Sequence, residues 1–126
     1  MAKEIIHTDQ APAAVGAYSQ AVRAGNTVYL SGQIAIDPAT QEIIEGGAEA
    51  QAKRVLKNLE AVLKAADCTF KDVVKAEIFL DDINDFATVN DIYAEYFTEE
   101  PPARACVEVG RLPKGVAVEI SLIAVK

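Results

Sequence analysis

Two segments near the C-terminus read as strands, PPARACVEV and VAVEISLIAV, and each holds a charged residue where the pattern wants an apolar one, Arg104 and Glu119. An arginine among apolar neighbours has two explanations. It pairs internally, with Glu119 or Glu108, or it is an anion clamp, because a guanidinium presents a planar fork of donors that fits a carboxylate at two points. Internal pairing is a poor source of stability, since desolvation of both charges offsets their attraction. That cost tilts the reading toward a ligand. Glu119 divides the same way, into an ion-pair partner or an acid/base group. Walls of Ile and Val raise a carboxyl pKa toward the range useful for proton transfer, while a nearby arginine lowers it.

Other side chains could join them. Tyr18, in VGAYSQAV, offers a hydroxyl donor or half-buried packing. Ser31-Gly32, in YLSGQ, offers hydroxyl and backbone donors or simply a turn. Asn90 interrupts the apolar stripe of a helix and needs hydrogen-bond partners there, as a loop anchor or as a site-lining amide. Cys106 invites a thiol reading, but a Cys–His dyad would depend on His7, the one histidine of the chain. With two distant cysteines and no His/carboxylate cluster, neither a metal nor a glycine-rich nucleotide site is expected.

The elements that must position these residues are legible from periodicity. KEIIHT, YSQAVRAG and TVYLSGQ read as strands, the last two joined at Gly25-Asn26, a hairpin signal. AEAQAKRVLKNLEAVLKAAD is an amphipathic helix with Ala52, Val55, Leu56, Leu59, Val62, Leu63 and Ala66 on one stripe. DVVKAEIFLDD alternates, with Val74, Ala76, Ile78 and Leu80 expected on one face and Lys75 and Glu77 on the other. Asn84 or Asp85 is expected to cap a second helix, DFATVNDIYAEYF, whose stripe is Phe86, Val89, Tyr93 and Phe97 and which Pro101-Pro102 ends. In the last two strands Arg104, Cys106 and Glu108 share a face, as do Glu119, Ser121, Ile123 and Val125.

The order β-β-β-α-β-α-β-β predicts one α+β domain over residues 1–126, a sheet with two helices on one face. Strands apolar on both sides leave the second face to be buried by other copies of the chain. A net charge of −7 with no basic cluster argues against nucleic acid or an anionic membrane. No apolar run approaches a membrane span, and the N-terminus lacks a signal-peptide pattern, so a cytoplasmic protein is expected.

Along essentially its whole length the chain resembles the RidA/YjgF family of reactive intermediate deaminases. GAYSQAV, VYLSGQI, NDFATVNDIYAEYF and above all PPARACVEVGRLPKGVAVEI carry the resemblance. It implies a chorismate-mutase-like α+β fold with a mixed sheet, assembled as a homotrimer with sites between subunits. It also implies hydrolysis of enamine/imine intermediates such as 2-aminoacrylate to 2-oxo acids and ammonia, without a cofactor. Arg104 would bind the substrate carboxylate, Glu119 would orient or deprotonate water, and Tyr18 would line the pocket and hydrogen-bond substrate or water. Ser31, Gly32, Asn90 and Cys106 would line the cleft, with the Cys106 carbonyl accepting from the imine nitrogen. Two other expectations stand beside this one: a carboxylate-binding or partner-binding module without catalysis, and a ribonuclease or translation inhibitor.

Overall fold

The computed structural model describes residues 2–126 and contains eight strands and two helices. Strands β1 (Glu4–Ile6), β2 (Ala21–Ala24) and β3 (Thr27–Gln33) form an antiparallel meander. Gly25, at φ +61°, supplies the positive φ of the two-residue β2–β3 hairpin. A small ribbon, β4 (Ile36–Asp37) with β5 (Glu42–Ile43), leads into α1 (Ala48–Ala65). Strand β6 (Val73–Leu80), helix α2 (Phe86–Tyr96), β7 (Ala103–Glu108) and β8 (Val118–Val125) complete the chain.

The main sheet runs β1-β2-β3-β8-β6-β7, with β6 and β7 parallel and every other neighbouring pair antiparallel. This mixed sheet with both helices on one face is the predicted α+β architecture. All seven residues of the predicted α1 stripe are buried, packed on Val28, Leu30, Ile78, Ile120 and Leu122. Asn58, also fully buried on α1, donates to the carbonyls of Ile34 (3.3 Å) and Ile36 (3.0 Å), which secures the β4 segment. Gln51 accepts from the Ala117 N–H at 2.8 Å and so fixes the entry to β8.

Local expectations change at four points. A register shift between Val73 and Lys75 turns Val73 into the core and leaves Val74 exposed, because a bulge breaks the period of two. Asp85 occupies the N-cap position of α2, as expected, but makes no side-chain capping bond; that bond lies one turn earlier, where the Asp82 carboxylate accepts from the Asn84 N–H at 2.9 Å in the 3-10 turn that feeds α2. Helix α2 stops at Tyr96, ahead of Pro101-Pro102, and β2 begins at Ala21, which leaves Tyr18 in a loop.

The sheet face away from the helices is open. Ile5, Tyr29, Val107 and Val125 on it are 42–53% exposed. Among the described residues no helix is long and apolar enough to cross a membrane.

Candidate functional site

The predicted residues fall into two groups on opposite faces of the sheet. In β7, Arg104 is level with Ala76 and Cys106 with Ile78, both buried beneath the helices, so Arg104 and Cys106 point to the helix side. Glu119 is level with Phe79 and Val107 and points to the open side. Within one chain the guanidinium and the glutamate are therefore separated by the sheet.

The first group gathers at the sheet edge against α2. Arg104 NH1 donates to Asn90 Oδ1 at 2.6 Å. Its guanidinium carbon lies 5.4 Å from the Phe86 ring centroid and 5.0 Å from that of Tyr93, both within cation–π range. Among the described residues no carboxylate pairs with Arg104. Glu108, one of its candidate partners, accepts from the Ile83 N–H at 2.9 Å and holds the turn before α2. Asn90 is thus a partner of the arginine, not a buried loop anchor. A cleft of about 440 Å³ opens beside it, lined by Asn90, Tyr93, Ala94, Phe97, Pro101 and Arg104 among others.

Cys106 stands on the same edge. Burial pushes its thiol pKa up, with Arg104 pulling more weakly down, so the thiolate a nucleophile needs is disfavoured. His7 bonds Asp9 at the surface instead of serving a dyad. The Val109 N–H donates to the Leu80 carbonyl at 2.9 Å. By strand alternation the odd-numbered β7 residues face β6, and Cys106 turns its N–H and C=O outward from the edge, unpaired by any strand.

The second group occupies the open face. Leu30 pairs Leu122 and Gln33 pairs Ile120, so Ser31 and Gly32 together oppose Ser121 in a β-bulge. A Cβ built on Gly32 would fall 2.9 Å from Glu119 Cδ and closer still to Oε2, so the glutamate lies on bare backbone. Burial alone raises the Glu119 carboxyl above its ordinary value. The opposing pull of an arginine is absent because Arg104 is across the sheet. Ser31 Oγ donates to the Ser19 carbonyl at 2.6 Å, and the Ser31 N–H to the Gln20 carbonyl at 3.0 Å. Tyr18 stands half-exposed beside them in a cavity of about 540 Å³ that also includes Lys3, Ser19, Tyr29 and Ser31.

Sequence reasoning missed three contributors. Gln20 is 2% exposed; its side chain accepts from the Thr8 N–H (2.7 Å) and donates to Thr8 O (3.0 Å) and Pro12 O (2.8 Å), which pins the base of the Tyr18 loop. Phe86 and Tyr93 read as core stripe residues, yet both touch Arg104. Their spacing with Asn90 on one helix was visible; the strand they would meet was not. A larger hollow, about 850 Å³ and lined by Thr8, Lys57, Lys64, Cys68 and Phe70 among others, contains none of the predicted residues.

Comparison with known proteins assigns the class. A family model described as Endoribonuclease L-PSP matches residues 8–126. Bovine 2-iminobutanoate/2-iminopropanoate deaminase is 52% identical over 126 residues, covering 100% of this chain and 92% of that protein. The crystal structure of RidA from an Antarctic Psychrobacter has a TM-score of 0.94 and 50% identity, with 98% and 99% of the two chains covered. Escherichia coli TdcF with bound serine has a TM-score of 0.93 and 43% identity, with 98% of each chain covered. The chain belongs to the RidA/YjgF family.

Proposed function

We propose that this protein hydrolyses the imines of small 2-oxo acids, 2-iminopropanoate and its close relatives, to the 2-oxo acid and ammonia. We propose further that its site forms between copies of the chain, in a homotrimer. The names of relatives at about half identity support the activity. The bound serine of TdcF, a small molecule with a carboxylate next to an amino-bearing carbon, supports the substrate class. The open, partly apolar sheet face supports the assembly.

One observation carries the reading: an arginine without an acidic partner beside an open cleft, and a glutamate of raised pKa on the opposite sheet face. One chain cannot bring them onto one small molecule. A neighbour whose open face meets this chain's β7 edge would do so, joining Arg104, Asn90 and Cys106 to a second copy's Tyr18, Ser31, Gly32 and Glu119.

In such a site the chemistry is modest. Arg104 binds the carboxylate of the iminium and fixes its carbon in place. Water adds to that carbon while Glu119 takes its proton, giving a carbinolamine. Glu119 returns the proton to nitrogen, the C–N bond breaks with its electron pair leaving on ammonia, and loss of the hydroxyl proton leaves the 2-oxo acid. A carboxyl pKa raised by burial suits both halves of this transfer. The outward carbonyl of Cys106 would accept from the iminium N–H. An enamine such as 2-aminoacrylate enters by tautomerising to the imine, a proton moving from nitrogen to C3.

The decisive experiment compares the protein with Arg104→Ala for 2-oxo acid release from 2-iminopropanoate generated in solution. Loss of release with an unchanged assembly is expected; unaltered turnover would remove the clamp. The family model's description favours a ribonuclease as second reading. A net charge of −7 opposes it, because a phosphate backbone is repelled. RNA left intact by protein that deaminates excludes that reading. Pyruvate binding without any acceleration of imine hydrolysis would instead indicate a carboxylate-binding module.

A further inference from the structure

We infer that Phe86 and Tyr93 are positioning residues, an aromatic cradle on α2 that holds the Arg104 guanidinium ready for a carboxylate; the identity of that carboxylate rests on the deaminase reading. Phe86, Asn90 and Tyr93 are spaced i, i+4, i+7 and therefore share one helix face. Arg104 reaches that face from the edge strand β7, its guanidinium carbon 5.4 Å and 5.0 Å from the two rings while NH1 donates to Asn90 Oδ1 at 2.6 Å.

A long arginine on a sheet edge, with no acid to pair with, is ordinarily mobile and loses rotamer freedom when it binds. Here the rings and the amide restrict it beforehand. They do so without neutralising it, because a π face attracts a cation yet leaves the N–H edge open. The guanidinium has five N–H donors and Asn90 takes one, so a two-point grip on a carboxylate remains available.

Tyr93 is 4% exposed, so its ring is held in the core and offers the guanidinium a fixed π face.

The test titrates pyruvate calorimetrically into the parent protein, Phe86→Leu, Phe86→Tyr and Tyr93→Leu, and measures steady-state deamination of 2-iminopropanoate on the same samples. Phe86→Leu is expected to raise the pyruvate Kd and the KM about three- to tenfold with kcat within about twofold, and Phe86→Tyr to restore both. If Phe86→Leu binds pyruvate as tightly as the parent, the cradle is wrong. Phe86 is partly exposed, so this variant decides the matter even if Tyr93→Leu fails to fold. No pyruvate binding by the parent also overturns the cradle. A parent that binds pyruvate, responds to Phe86→Leu and releases no 2-oxo acid keeps the cradle and defeats the deaminase reading instead.

Discussion

Glu119 rests directly on the backbone of Gly32, with no room between them for even a methyl group. The glycine stands in the β-bulge of β3, where two residues oppose Ser121, so bulge and carboxylate are placed as a unit. Gly32→Ala should push the carboxylate off its seat while leaving the core on the far side of the sheet untouched. A misplaced proton acceptor costs on the order of 100-fold in rate. The expected result is a large fall in kcat with little change in melting temperature; an unchanged kcat would show that the glycine seat is irrelevant to the chemistry.

The raised pKa of Glu119 has two separate consequences for pH. In the proposed role of proton acceptor it must be ionised, so kcat/KM should fall on the acid side with a midpoint above the ordinary 4.5. That limb should vanish from whatever activity Glu119→Gln retains. For stability the sign is the reverse of a salt-bridged carboxylate. The folded state prefers the proton, so Glu119 costs nothing below the unfolded value of 4.5, and its cost grows as pH rises through the higher folded value. Denaturant unfolding should therefore find Glu119→Gln at least as stable as the parent at neutral pH, with any gain gone in acid.

Asn90 holds Arg104 through a neutral acceptor, and neutrality is the point. Asn90→Ala removes a hydrogen bond to a charged group, about 1.5–3 kcal/mol in the general case, and should raise KM roughly tenfold or more. Asn90→Asp keeps the shape but installs a carboxylate against the guanidinium. It would occupy the fork that a substrate needs and should be the more damaging change, with a higher KM than Asn90→Ala. The reverse ranking would mean that Asn90 acts by some route other than leaving the arginine available.

Mixing two impaired proteins tests the shared site. Arg104→Ala retains an intact open face, and Glu119→Gln retains an intact β7 edge. Subunits exchanged at equal concentration should recover roughly a quarter of the parent activity, since random association pairs two sound halves at that frequency. Recovery after mixed refolding, and none on simple addition without exchange, is the expected pattern. No recovery in verified mixed assemblies would place both groups on one chain.

Much of this architecture follows from local pattern. The α1 stripe was readable because seven apolar positions at helical spacing leave no other way to bury them. Face assignments within β7 and β8 were readable for the same reason. Val74 was not, because a bulge has no signature in an alternating run. The β4–β5 ribbon was not, since two-residue strands have no period to detect. The relation of Arg104 to Glu119 failed at a different level. Each strand's own alternation was correct, but which face of β7 matches which face of β8 depends on the parallel register with β6, a fact held by neither segment alone. The Phe86–Tyr93 cradle was hidden likewise: its spacing was local, its cation was not.

The hydrogen bond from Ser31 Oγ to the Ser19 carbonyl gives the proposed cleft a direction. With its hydrogen engaged, that hydroxyl shows an incoming molecule only lone pairs, as does the outward carbonyl of Cys106, whereas the arginine fork shows only hydrogens. Such a pocket is polarised like a plug socket. A molecule negative at one end and hydrogen-bearing at the other finds its matching partners one way round only.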